Sequence, residues 1–221
     1  MAELSAEAAE NYLKQIYTLS LDHEQVKTSR LATALGLSPA AVTEMLKRLD
    51  EQKLVRYRPY RGVTLTAQGR KRALRIVRRH RLWEVFLYRV LAVPWAELHE
   101  HAERLEHATS DKLANYLDDY LGNPTVDPHG HPIPTREGSV TESKRVRLST
   151  LDAGSTAVIT QCTGDENDEL MRYLKSVGLV PGARVQVGER APFGGPIALQ
   201  VEGTERMVGA EAARTVLVRV E

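Results

Sequence analysis

The chain has 221 residues, 42% of them hydrophobic and 27% charged, with a formal net charge of +1. Such a composition suits a soluble globular protein of one large or two to three small domains and argues against wholesale disorder. No apolar run is long enough to span a bilayer, the N-terminus lacks the basic-then-apolar pattern of a secretory signal, and one cysteine, Cys162, excludes an intrachain disulfide and a Cys-based zinc site, so a cytoplasmic compartment is expected.

Residues 5–21 read as a helix, with Ser5 as N-cap and Tyr12, Leu13, Ile16 and Leu19 as its apolar stripe. Thr28 or Ser29 then caps a short helix through Leu35, and Gly36 ends it. Ser38 caps a second helix with Pro39 at its first helical position, where a missing N–H costs nothing. Helix, Gly-containing turn, helix is helix-turn-helix spacing. Leu54–Tyr57 and Val63–Thr66 follow as two short strands joined by "RPYRG", a wing decorated by Arg56, Arg58, Arg61 and Arg70. A long helix is expected from Ala67 to Leu91, broken at Val93-Pro94, and a further helix starts near Trp95. Thr109 or Ser110 caps another, reaching Leu121 with Leu113, Tyr116, Leu117 and Tyr120 at its apolar positions. "GNPTVDPHGHPIPTREGS" is rich in Pro and Gly and marks a boundary. Beyond residue 145, short β-rich runs with one helical insertion, "DENDELMRYLKSVGL", predict a small, partly open barrel.

Charge is distributed unevenly. Residues 27–90 contain 16 Lys or Arg and four acids, a formal +12, whereas residues 97–120 contain seven acids against Arg104 and Lys112, a formal −5. The basic block suits a polyanion and the acidic block suits cations. Solvated helix faces would give the same counts.

The stretch "HEHAERLEH" (99–107) sharpens the second point. On a helix, His99, Glu103, Glu106 and His107 converge on one side, and Glu100 and His101 fall elsewhere. On the preceding helix, His80 and Glu84 share a face at i and i+4. Imidazole and carboxylate without thiolate suit Mn(II), Fe(II), Zn(II) or Co(II) rather than Cu(I). A solvated polar helix is the competing reading of the same letters. His129 and His131, in a Pro/Gly loop, read as turn residues, and His23 and Cys162 as structural ones. Nothing in the chain reads as a catalytic nucleophile or a substrate-binding loop, so neither an enzyme nor a small-molecule substrate is expected.

At this point the residues resemble the diphtheria toxin repressor family of iron- and manganese-dependent regulators. The matching stretches are "ENYLKQIYTL", "SPAAVTEMLKRLDEQKLV", "GVTLTAQGR", "RRHRLWE", "LHEHAERLEHATSD" and "DPHGHPIP", in the family's order. The resemblance implies a mainly α protein with a β-rich C-terminal domain. Its parts would be a winged helix-turn-helix DNA-binding domain (1–72), a helical metal-binding and dimerisation domain (73–140) and an SH3-like domain similar to the ferrous-transport accessory protein (146–221). It implies a primary metal site of Asn11, Glu103, Glu106 and His107, and an ancillary site of His80, Glu84 and His99 with acids from the third domain, matched by Glu166 and Glu169. Iron regulators usually carry Cys at position 103 and manganese regulators Glu. Glu103 therefore tilts the expected ion toward Mn(II), with Fe(II) as the alternative and other divalent ions as substitutes. Lys14 stands where manganese regulators carry a second acid.

The expected partners are a palindromic double-stranded DNA operator and a second copy of the chain, with no membrane. Helix 38–52 would enter the major groove, presenting Ser38, Ala40, Ala41, Thr43, Glu44 and Lys47 near its exposed start. Arg58 and Arg61 on the wing suit phosphates or the minor groove.

Overall fold

The computed structural model describes residues 6–141 and 145–221, so the expected cap Ser5 lies outside the described residues. The chain packs as two compact units. One comprises residues up to Arg79, Glu106–Asn115 and Pro134–Ser139; the other comprises His80–Leu105, Tyr116–Ile133 and the chain from Val140 on. Among the described residues, no helix is long and apolar enough to cross a membrane.

The first unit opens with α1 (Ala6–Ser20), which buries Ala9, Tyr12, Leu13, Ile16 and Tyr17. These positions recur every three to four residues, the spacing of one helical face. Next come α2 (Thr28–Leu35) and α3 (Pro39–Glu51). The expected cap of α2 does not form. Lys27 occupies the N-cap position without a side-chain bond, and Thr28 is already helical. Gly36 ends α2 at φ 64°, the left-handed conformation that turns the chain toward α3. Ser38 Oγ accepts from Ala41 N, and Pro39 begins α3.

The wing is β1 (Val55–Arg58) antiparallel to β2 (Gly62–Leu65), one residue displaced from the expected spans at each strand. Val26 adds a single rung on the other side of β2 by exchanging both backbone bonds with Val63, at 3.1 and 2.9 Å. Gly62 has φ 120°, and a Cβ there would lie 2.6 Å from the Val26 carbonyl oxygen. This rung therefore requires glycine. Helix α4 (Ala67–Arg89) ends two residues before the expected Leu91. Its first part, to residue 79, belongs to this unit.

In the second unit, a 3₁₀ turn (Trp95–Glu97) leads into α5 (Leu98–Glu106); α6 (Asp111–Tyr120) follows, its residues to 115 belonging to the first unit and the rest to the second. Ser110 provides the α6 cap, its Oγ accepting from Leu113 N at 3.2 Å. The β-rich part contains β3 (Val146–Arg147), β4 (Thr156–Cys162), α7 (Asp168–Ser176), β5 (Arg184–Arg190), β6 (Ile197–Val201), β7 (Thr204–Val208), α8 (Ala210–Arg214) and β8 (Val216–Val220). All strand pairs are antiparallel in the order β3-β8-β4-β5-β6-β7, with β3 and β7 at the edges. Helix α8 was not expected from the sequence. Trp95, Leu98 and Ala102 share one buried cluster with Leu148, Ile159, Met171, Leu174, Val185, Leu199 and Val218. Each large apolar side chain so buried contributes about 1.5–3 kcal/mol, which fixes the helices carrying His80, Glu84 and His99 against the sheet.

Candidate metal centre

Two constellations of imidazole and carboxylate form, one in each unit. In the first unit, Glu106 is wholly buried, and Lys14 Nζ from α1 donates to both of its oxygens, at 3.0 and 2.8 Å. His107 Nε2 lies 3.5 Å from Glu106 Oε1 and makes no hydrogen bond among the described residues. Its Nδ1 lies 2.9 Å from Glu10 Oε2 on α1. A carboxylate at one ring nitrogen fixes the imidazole and leaves the other nitrogen for a metal, the usual outer arrangement of a histidine ligand. Asn11 Oδ1, also on α1, is buried with no hydrogen-bond partner among the described residues. A buried oxygen without a donor costs about 1–3 kcal/mol, and a bound cation would remove that cost.

In the second unit, His80, Glu84, His99 and Asp165 each bring a ligand atom within 4.8 Å of the others. His80 and Glu84 lie one turn apart on α4, with His80 Nε2 3.3 Å from Glu84 Oε1. The His80 and His99 rings are 4.8 Å apart. His99 Nδ1 lies 3.5 Å from Asp165 Oδ2, and its Nε2 lies 3.1 Å from Glu103 Oε2. Both Glu84 oxygens are buried and accept no hydrogen bond among the described residues. Burial raises the Glu84 carboxyl, but His80 and His129 outweigh it and hold it well below the usual carboxylate range. Burial likewise raises Asp165, and His131, His99 and His129 bring it well below its usual value. Both groups of residues fit a divalent cation, because Asn11 Oδ1 and His107 Nε2 in the first and both Glu84 oxygens in the second are buried without a hydrogen-bond partner among the described residues. A divalent cation supplies concentrated positive charge there.

The acid brought to His80, Glu84 and His99 is Asp165. Glu166 and Glu169 are exposed and do not join the group. Helix α7 begins at Asp168 with Asn167 as its cap, so Glu169 sits in a solvated first turn, whereas Asp165 lies in the preceding turn closed by Asn167 N on Gly164 O. Asp165 was missed because helical spacing says nothing about a loop residue. His129 and His131 do lie in a turn, as expected, but both are buried among charged groups. Cys162 is buried, its Sγ donates to Leu179 O at 3.4 Å, and burial pushes its thiol up to about 12.

The residues expected to face DNA lie on the helix-turn-helix and the wing. Ser38, Ala40, Ala41, Glu44, Lys47, Arg58 and Arg61 are exposed, and Thr43 is half-buried. Thr43 Oγ1 donates to Pro39 O and Glu44 pairs with Arg48, so their polar groups are engaged within α3. Arg56, Arg58 and Arg61 line a shallow cleft on the wing with Gln25 and Thr64. Arg70 instead stacks its guanidinium over the Tyr17 ring, 5.2 Å from the centroid.

Residues 4–63 match the family description "iron dependent repressor, N-terminal DNA binding domain", 66–135 the "iron dependent repressor, metal binding and dimerisation domain", and 146–220 the FeoA domain. The iron-dependent repressor IdeR of Mycobacterium leprae is 36% identical over 202 residues, covering 86% of this chain and 87% of that protein. The regulator MntR of Lysinibacillus sphaericus is 35% identical over 121 residues, covering 53% of this chain and 86% of that protein. A solved manganese-dependent transcriptional repressor in complex with manganese superposes with a TM-score of 0.87 at 37% identity, covering 96% of this chain and all of that one. Fold and site together define a metal-dependent, DNA-binding transcriptional repressor and not an enzyme. The chain belongs to the diphtheria toxin repressor family.

Proposed function

We propose that this chain is a Mn(II)-activated repressor that binds a palindromic operator as a homodimer in the cytoplasm and controls metal-transport genes. The carrying observation is the donor chemistry. Every candidate ligand is an oxygen or an imidazole nitrogen, and the one cysteine is buried away in β4. Carboxylate, amide oxygen and imidazole favour the harder Mn(II) over ions that seek sulfur. Glu103, where iron regulators usually carry Cys, points the same way. The full-length similarity to an iron-dependent repressor favours Fe(II) as the second reading.

In this reading Asn11, Glu106 and His107 hold the activating ion, and His80, Glu84, His99 and Asp165 hold the ancillary one; Glu103, expected at the first site, has its carboxylate 3.1 Å from His99. Glu10 and Asn11 both belong to α1, which buries its apolar face in the DNA-binding unit, so occupancy is felt by the helix that supports α2 and α3. Ala40, Ala41 and Thr43 meet base edges, their methyl groups suiting thymine. Ser38, Lys47, Arg58 and Arg61 meet phosphates. The homodimer is supported by α6, which leaves Leu113, Tyr116 and Tyr120 exposed at i, i+3 and i+7 while burying Leu117.

The test is an operator titration with Mn(II), anaerobic Fe(II), Zn(II) and no metal, at one salt concentration. Operator affinity should rise most with Mn(II). Glu106→Ala should lose the Mn(II)-dependent part and keep weak low-salt binding to any DNA. Equal operator affinity in Glu106→Ala and wild type, both with Mn(II), would remove Glu106 from the site. A stronger response to Fe(II) would transfer the reading to iron.

A further inference from the structure

Helix α1 is tied to the end of α5 by two contacts of opposite polarity, one helical turn apart. Glu10 and Lys14 stand at i and i+4, on one face of α1. Glu106, the last residue of α5, and His107 after it fall in the same compact unit as α1. Lys14 Nζ donates to Glu106 Oε2 at 2.8 Å and to Oε1 at 3.0 Å, and Glu10 Oε2 lies 2.9 Å from His107 Nδ1. The Glu106 side chain is wholly buried and that of Lys14 is 14% exposed. Water and salt screen such a pair weakly, so a charge-assisted bond to both carboxylate oxygens holds more firmly than a surface pair.

The other side of α1 faces the DNA-binding elements. It packs against α2 and β2 through Tyr12, Leu13, Ile16 and Tyr17, all buried. A helix seated on Glu106 therefore seats the helix-turn-helix and the wing with it. At Glu106, Lys14 does part of what a metal ion would do. Its ammonium neutralises the buried carboxylate and draws α1 to it. Asn11 Oδ1 and His107 Nε2 still have no hydrogen-bond partner among the described residues, so an ion would add bonds that Lys14 does not supply.

We propose that Lys14 is a positioning residue that acts as a built-in cation: it seats α1 on Glu106 without metal and gives the chain a basal, metal-independent preference for its operator. The proposal rests on the activating site assigned above. Lys14 yields the Glu106 oxygens when an ion binds Glu106, Asn11 and His107. Two seated states then compete, one holding the ammonium and one the ion, and both are competent for DNA. Lys14 thus raises operator affinity in the metal-free chain. It also narrows the gain that metal adds, because part of the population is already competent.

The test uses the full chain, in chelator and in Mn(II), with a duplex selected from random sequence by the Mn(II)-treated protein and a scrambled duplex of equal length, at one salt concentration. In chelator, wild type should prefer the selected duplex. Lys14→Met should lower that preference by roughly fivefold or more, whereas Lys14→Arg, whose guanidinium can meet both carboxylate oxygens, should keep it. In saturating Mn(II), Lys14→Met should bind the selected duplex as tightly as wild type, so its Mn(II)-induced gain is the larger. Amide exchange across α1 in chelator should be faster in Lys14→Met than in wild type and slow to the wild-type level with Mn(II). Should Lys14→Met fail to fold in chelator, Lys14→Gln repeats the comparison, and the wild-type preference in chelator needs no variant. Equal binding of both duplexes by wild type in chelator, or an undiminished preference in a folded Lys14→Met, overturns the role of Lys14. The two readings fail separately. A strong Mn(II) response with no preference in chelator removes only Lys14 as built-in cation, whereas a preference in chelator that Lys14→Met loses and Mn(II) does not raise removes only the manganese reading.

Discussion

Lys14 places an ammonium against both oxygens of a wholly buried carboxylate, Glu106. An ionised carboxylate out of water needs a partner, and breaking such a pair by removing one side costs about 3 kcal/mol or more. Lys14→Met should therefore destabilise the metal-free protein by about 3 kcal/mol, read as a lower urea midpoint. The same change removes a tethered cation that competes for the Glu106 oxygens. Mn(II) should then bind Lys14→Met more tightly than wild type and raise its urea midpoint by a larger increment, because a ligand that binds only the folded state adds stability that grows with the logarithm of its affinity. A variant as stable as wild type without metal, or a smaller Mn(II) increment, would mean that Lys14 does not compensate Glu106. Asp165 teaches a second lesson at this scale. The acids at 166 and 169 satisfied a helical spacing, yet the acid one residue before Glu166 reached the histidines, because its backbone turn rather than its periodicity aims it.

Between elements, the start of α4 is held unusually close to the end of α3. Thr66 Oγ1 accepts from Gly69 N at 3.1 Å and donates to Lys53 O at 2.7 Å. A Cβ on Gly69 would lie 1.8 Å from the Leu54 carbonyl oxygen, a backbone atom that cannot swing away. In an open helix, Gly→Ala stabilises by roughly 0.5–1 kcal/mol. Here Gly69→Ala should instead destabilise the protein by about 2–3 kcal/mol, as overpacking does, and weaken operator binding with the wing displaced. A stabilised Gly69→Ala in urea unfolding would show that the helix can shift freely. The close approach of Gly69 could not be seen in the sequence, because only the crossing of two elements makes a glycine necessary there. Where local chemistry decides, the letters sufficed: Ser38 caps α3, Ser110 caps α6, Gly36 ends α2, and the α1 stripe is buried as its spacing requires. His80, Glu84 and His99 were legible because helical spacing places them on shared faces. Asp127, His129 and His131 were legible only as a turn, since their burial comes from β4, more than 25 residues further along the chain.

At the scale of the whole molecule, two functions share one free-energy balance. Arg56, Arg58 and Arg61 line a cleft on the wing that suits phosphates, and the buried histidine and carboxylate groups suit cations. Metal and operator can influence each other only if each binds the DNA-competent state more tightly than the incompetent one. The coupling is then reciprocal: whatever factor Mn(II) adds to operator affinity, operator adds to Mn(II) affinity. Couplings of this kind run to about 1–3 kcal/mol, or roughly 5–150-fold. Mn(II) affinity measured against a competing fluorescent chelator should therefore rise by such a factor when operator DNA is added, and by much less with DNA of unrelated sequence. Salt separates this coupling from simple charge attraction. Phosphate contacts release counterions, so raising salt from about 50 to 200 mM should weaken operator binding steeply, by about a thousandfold or more for six to ten contacts. The DNA-induced gain in Mn(II) affinity should persist at every salt concentration where the operator is kept saturating. If operator left Mn(II) affinity unchanged at saturation, the metal would not act through the DNA-competent conformation, and α1 would not be the element that reports occupancy.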